Sequence, residues 1–370
     1  MTPVLQTLAD LIRINSINPA YDNGRPEGEI AAWIADFFAA RGIQTRLQEV
    51  MPGRPNLVAV LPGKEPGRRI VFEAHVDTAS INGMTIPPFE PRVDAGMMYG
   101  RGSCDTKAGL AAMMHALADL KRNGVEPPAE VWVVAAADEE YSFQGVLKLR
   151  EGLTAHAAVV AEPTSNRLVV AHKGVLRWKV RTHGVAAHSS KPQLGVNAIS
   201  RMARVIDRLD ASAAELEANS HPLVGPATIN VGVIRGGVQV NFVPDSCEIE
   251  IDRRLIPGES PDDVLRHYQR VLGDLATMDP PMLVDGLLET SPTSPIARLG
   301  SEVLAELGLD PEPCGVPYGS DASKLSAHGV PSLLLGPGSI DQAHAAVEWV
   351  ECQQVEQAVE FYRRVMERFE

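Results

Sequence analysis

Apolar and polar positions alternate along the chain with two different periods, and the period changes near residue 174. Residues 3–15 and 27–42 carry apolar positions three and four apart. The second run (Ile30, Trp33, Ile34, Phe37, Phe38) stops at Gly42, and both predict packing helices. NLVAVLPG at 56–63 and IVFEAHVDT at 70–78 predict strands separated by the turn-rich KEPGRR. The second is apolar nearly throughout, as expected of a strand central in a parallel sheet. Residues 79–98 are rich in Pro, Gly and Met without a strong period and predict surface loop, and 99–120 pass from a Gly-rich turn into an Ala, Leu and Met helix. VWVVAAADEEYSFQG at 131–145 and AAVVAEP at 157–163 are apolar runs that stop abruptly at carboxylates.

From Gly174 the strands alternate. LRWKVRTHG, a helix over 195–217, the strands TINVGVIRGG and CEIEIDRRLIPG, the helix PDDVLRHYQRVLGDL and the strand MLVDGLL give a β-α-β-β-α-β order. Strict alternation implies one solvated sheet face, and the order is that of a ferredoxin-like unit. A helix at 293–307, the strand PSLLLGPG at 331–338 and an amphipathic helix over 350–369 complete the chain. The pattern therefore predicts an α/β protein of two domains. Residues 1–173 and 289–370 form one, with a central mostly parallel sheet flanked by helices, and residues 174–288 form the inserted other.

Composition narrows the classes of partner. With 370 residues the chain is long for one core, and a net charge of -13 disfavours nucleic acid or an anionic membrane, neither of which offers counter-charge. No apolar run reaches the roughly 20 residues needed to span a bilayer. The first residues have no cationic stretch before an apolar core, so the default expectation is a cytoplasmic protein. Cys104, Cys247, Cys314 and Cys352 lie far apart, which points to reduced thiols and not to a thiolate zinc site or a disulfide framework.

The chemistry collects at strand ends. His75 and Asp77, two apart, emerge on one face at the C-terminal end of their strand, where open α/β sheets bind ligands. This spacing suits a metal-binding imidazole and a carboxylate that orients it, or simply a polar strand end. Asp105, at a turn-to-helix junction, reads as a helix N-cap or as a metal ligand; the glycine spacing does not fit a dinucleotide turn, and Cys104 has no nucleophile signature. Asp138, Glu139 and Glu140 end one buried strand and Glu162 another. Three successive carboxylates repel one another unless a cation lies beside them or the loop is solvated. Suppose His75, Asp105, Glu140, Glu162 and His344 bind two divalent cations. Three carboxylates then meet four positive charges, and the net positive centre can acidify a bridging water. Imidazole and carboxylate without thiolate suit zinc, with cobalt or manganese as replacements, and Glu139 remains as the acid/base beside it.

Seven segments in order, AHVDT, GRGSCDTKAG, ADEE, AEP, GVAAHSSKPQLGVNAI, DRRLIPGE and GPGSIDQAH, resemble the co-catalytic di-zinc hydrolases that include aminoacylase, carboxypeptidase G, succinyl-diaminopimelate desuccinylase and acetylornithine deacetylase. The resemblance runs from about residue 5 to 365, and the run around His344 looks most like the acetylornithine deacetylase branch. It implies that His75, Asp105 and Glu162 hold one zinc and Asp105, Glu140 and His344 the other, with Asp105 bridging. It further implies that Asp77 orients His75, that Glu139 is the general acid/base, and that the Asp105–Thr106 peptide is cis. His188, with help from Asn241, would stabilise the oxyanion, in some relatives from a partner's second domain. Arg254 would bind the substrate's α-carboxylate. The expected activity is hydrolysis of the acyl amide of an N-acyl amino acid, with a carboxypeptidase or dipeptidase as the alternative and a non-catalytic binding protein as the outsider. The inserted domain would serve as lid and leaves room for a homodimer.

Overall fold

The computed structural model describes residues 1–370, and the chain divides into two compact units. The first comprises Met1–Val170, Thr290–Cys314 and Ser320–Glu370. Its central sheet has four parallel strands in the order Glu130–Ala136, Arg69–His75, Ala157–Val160, Ser332–Leu334. The strand Arg69–His75 is buried from Ile70 onward, which is why its sequence shows no alternation. The sheet as a whole is mixed. On one side the hairpin Gln44–Met51 and Arg54–Leu61 adds antiparallel strands next to Glu130–Ala136, and on the other Val169 runs antiparallel to Leu334. The helix Lys107–Arg122 packs against the central strands and against the helices Pro3–Arg13 and Cys352–Arg368.

Parallel pairing aligns the strand ends. His75 lies opposite Ala136, so Glu139 and Glu140 follow just beyond it, and Glu73 lies opposite Val160, two residues before Glu162. Three acid- or His-tipped strands therefore finish at the same edge of the sheet. The segment 79–98, read from its sequence as loop, holds two short strands, Arg92–Asp94 and Met97–Tyr99, paired in a small sheet with Trp349–Glu351. Three-residue strands carry too few positions to show a period.

The second unit comprises Ala171–Glu289 and Gly315–Gly319. Its antiparallel sheet has the order Thr228–Gly236, Ser246–Leu255, Gly174–His183, with Thr277–Met278 and Leu283–Asp285 both pairing to Gly174–His183. The helices Ala198–Leu216 and Pro261–Leu272 complete the β-α-β-β-α-β arrangement. Burial alternates strictly along Ser246–Leu255, and Trp178, Ile249 and Ile251 meet Met202, Val205 and Tyr268 in one core. The terminal strand expected over MLVDGLL is broken into short pieces, and the segment 315–319, which carries no pattern, groups with this unit. No helix is long and apolar enough to cross a membrane.

Candidate metal centre

At the aligned strand ends the first unit gathers two groups of potential donors. One is His75, Asp105 and Glu162; the other is Asp105, Glu140 and His344; within each group the donor atoms lie within 4.8 Å of one another. Asp105 belongs to both. It precedes the helix Lys107–Arg122 at a cis Asp105–Thr106 peptide, and its two oxygens face different imidazoles. Oδ1 lies 3.0 Å from His75 Nε2 and Oδ2 3.5 Å from His344 Nε2. His344 Nε2 also lies 3.0 Å from Glu140 Oε2.

The orientation of His75 differs from the expectation. Its Nδ1 donates to the backbone carbonyl of Asp77 at 2.9 Å, while the Asp77 carboxylate stays 3.7 Å away. A carbonyl can only accept, so Nδ1 carries a proton, and the other ring nitrogen, Nε2, is turned toward Asp105. The Asp77 carboxylate is taken up elsewhere: Oδ1 accepts from the Glu139 amide (3.1 Å) and Oδ2 from the Glu140 amide (3.0 Å) and from Asn18 Nδ2 (2.7 Å). Asp77 thus orients His75 through its main chain, and with its side chain it fixes the segment bearing Glu139 and Glu140. Asn18 also donates to Asp138, which Arg54 bridges to Glu27. This network was not legible in the sequence, because Asn18 lies in a loop remote from the strand ends.

The electrostatics of the cluster are those of crowded acids. Burial, and then the charges of Glu139 and Asp105, push Glu162 well above the ordinary carboxylate range. Burial and Glu140 push Glu139 to about 8, against the pull of His75. Burial opposes ionisation of Asp105, yet the hydrogen bond from His75 and the neighbouring imidazoles hold it below its usual value. The hydrogen bond with Glu140 lifts His344 to about 9. Behind His75, the carboxylates of Glu73 and Asp321 are buried and accept no hydrogen bond from the protein, and burial raises both. The donors fit divalent cations: hard oxygen and imidazole nitrogen converge around one shared carboxylate, and a cation removes the repulsion that drives Glu162 toward its neutral form.

The three other residues singled out from the sequence lie in the second unit. His188 is exposed, with Nδ1 2.8 Å from Ser190 Oγ. It pairs across a two-residue ladder with Phe242, and the Asn241 carbonyl accepts from Ser189, so His188 and Asn241 are neighbours. Arg253 and Arg254 point to opposite sheet faces, as alternation requires. Arg253 is buried and held by Glu259, whereas Arg254 is partly exposed and donates to Asp252 at 2.7 Å.

The model of the peptidase family M20/M25/M40 matches residues 71–368. The chain belongs to this family. Among the M20 relatives, an acetylornithine deacetylase of Myxococcus xanthus is 32% identical over 85% of this chain and 84% of its own length. A probable carboxypeptidase of Aspergillus terreus is 31% identical over 99% and 86%. Among solved structures, a tripeptidase from Staphylococcus aureus superposes with a TM-score of 0.82 at 22% identity, covering 98% of this chain and 97% of that one, and shares the fold. As a member of M20 the chain is a metallohydrolase, and its mixed α/β architecture in two domains is that of the family.

Proposed function

We propose that this M20 protein is a zinc-dependent amidohydrolase that cleaves the acyl amide of an N-acyl amino acid, in the manner of an acetylornithine deacetylase. The observation that carries the reading is the pair of donor groups sharing Asp105, with the buried carboxyl of Glu139 beside them. His75, Asp105 and Glu162 would hold one zinc and Asp105, Glu140 and His344 the other, with cobalt or manganese as substitutes. Two such ions would polarise the substrate carbonyl and acidify the attacking water. Glu139 takes the proton from that water as its oxygen adds to the carbonyl carbon. It returns the proton to the nitrogen as the C–N bond breaks, leaving an amine and a carboxylic acid that keeps the second proton of the water until it ionises. Burial raises Glu139 above the ordinary carboxylate range, which favours its holding the proton between the two transfers. Asp77 holds Glu139 in place through its main-chain amide.

On the family resemblance, His188 and Asn241 are assigned to the developing oxyanion and Arg254 to the substrate's α-carboxylate; the side-by-side placement of His188 and Asn241 supports their acting together. A second reading, a carboxypeptidase or dipeptidase on the same site, is supported by the relatives named probable carboxypeptidase that match 99% of this chain. A panel of N-acetyl amino acids against dipeptides, assayed with zinc and with cobalt, tests the choice: faster turnover of dipeptides would reject the deacetylase. The reading includes a cytoplasmic protein and a homodimer through the second unit. Supporting the dimer, Thr228–Gly236 lies at the edge of its sheet with Ile234 exposed, and Val238, Val240 and Phe242 are exposed in the segment that follows it.

A further inference from the structure

We propose that Glu348, paired with Arg101, is the positioning residue that fastens the loop carrying Asp105 to the segment that follows His344 and so keeps these two candidate ligands in place; the inference rests on the two-ion reading above. Glu348 follows His344 by four residues, and its side chain is completely buried. Its carboxylate is enclosed by donors from the loop that carries Asp105. Oε1 accepts from the amides of Cys104 (2.9 Å) and Asp105 (3.0 Å), and Oε2 from the amide of Gly102 (3.0 Å) and from Arg101 Nη1 (2.7 Å). The Gly100 amide donates to the Glu348 carbonyl at 3.1 Å. Arg101, 2% exposed, uses Nη2 to reach the Ser80 carbonyl at 2.7 Å.

One side chain thereby ties together the two segments that supply the shared carboxylate and the terminal imidazole. The loop 100–105 belongs to no helix or strand. Besides the turn bond from the Ser103 amide to the Gly100 carbonyl (3.1 Å) and the bond from the Arg101 amide to the Pro88 carbonyl (2.8 Å), its amides at 102, 104 and 105 converge on one buried negative charge. The packing leaves little slack: a Cβ on Gly102, whose φ is +80°, would come within 2.9 Å of the Lys107 side chain. A carboxylate is the group this position needs. It offers acceptors to all four donors, whereas an amide of the same shape keeps one oxygen and turns an NH₂ toward two N–H groups. The Glu348–Arg101 pair is neutral as a unit, so it can be buried beside the acidic centre without adding net charge; removing either partner leaves the other buried and uncompensated. Groups that orient metal-binding side chains are commonly worth 10- to 100-fold in metal affinity.

The test is a cobalt titration of the ion-free full-length protein, followed by calorimetry and by visible d–d absorption, for wild type, Glu348→Gln and Arg101→Lys. Circular dichroism and melting of the ion-free forms run alongside. Wild type is expected to take up two ions. Glu348→Gln is expected to bind the second ion at least about tenfold more weakly with an altered d–d band, while the ion-free variant keeps the wild-type circular dichroism. If Glu348→Gln does not fold, Arg101→Lys, which keeps the charge but loses the fork to Ser80, is expected to weaken the same ion to a smaller extent. A folded Glu348→Gln, or failing that a folded Arg101→Lys, that binds both ions with wild-type affinity and spectrum overturns the proposal. A wild type that takes up fewer than two ions overturns the two-ion reading itself, so the two failures are told apart.

Discussion

At the scale of single residues the site separates groups that would hold ions from the group that would move a proton, and the two kinds of variant should behave differently. Glu139→Ala is expected to keep metal content near wild type while kcat falls by about 100- to 10,000-fold, the usual worth of a general acid/base. Asp105→Ala, which removes the carboxylate common to both donor groups, should lose bound metal together with rate. Metal analysis of the purified variants beside steady-state kinetics checks both, and a Glu139→Ala protein that purifies without metal would reject the division. His75, Glu139, Glu140 and Glu162 stood out in the sequence because hydrophobic runs that end in acid or His advertise themselves, whereas Asp105 at a turn-to-helix junction and His344 in a loop carried no such mark. The structure gathers His75, Asp105, Glu140, Glu162 and His344. The route by which Asp77 acts was not legible. Its carboxylate is used by the amides of Glu139 and Glu140, and backbone donors leave no mark on the residue types of a sequence.

At the scale of elements, the helix Lys107–Arg122 couples the centre to the hydrophobic core. Gly109 faces the strand that leads to Glu162, and a Cβ there would lie 2.5 Å from the Ala161 Cβ. Helix propensity alone favours Ala over Gly by about 1 kcal/mol. Overpacking should reverse that sign, so Gly109→Ala is expected to destabilise the protein by about 1–3 kcal/mol, read from chemical denaturation. The same helix carries His115, whose ring nitrogen lies 2.8 Å from Thr7 Oγ1 of the helix Pro3–Arg13. Burial, with Arg41 and Arg122 nearby, depresses its pKa from 6.5 to about 4. Between those values the unfolded chain binds the proton and the folded protein does not, so stability rises with pH across the window. Stability from this group is therefore present above about pH 6.5 and is lost as pH falls toward 4. His115→Gln should flatten that part of the stability profile measured by denaturant titration; an unchanged slope would remove His115 as its source.

At the scale of the whole molecule, the second unit is expected to contribute to turnover through His188. His188→Ala should retain metal content and near-normal KM while kcat drops by roughly 100-fold, the scale of a lost oxyanion donor. Mixing inactive Glu139→Ala chains with inactive His188→Ala chains, with subunit exchange verified, then reports where the histidine acts: regained activity means that it is supplied by a partner copy, and none means that it acts within its own chain. The sequence by itself determined the main helices and the buried strands that lead to the site, the change to an alternating sheet near residue 174, and the acids and His75 at the strand ends, because periodicity and abrupt polar stops are local properties. It did not show the strands Gln44–Met51 and Val169–His172. Only the tertiary structure decided that the first sheet is mixed, that one carboxylate stands between two imidazoles, and that Glu139 sits near pKa 8. It alone also revealed that Glu348 is wrapped by a loop from far earlier in the chain. Strand direction, shared burial and main-chain donation all depend on which distant segments become neighbours, and that is set by packing rather than by any local run of residues.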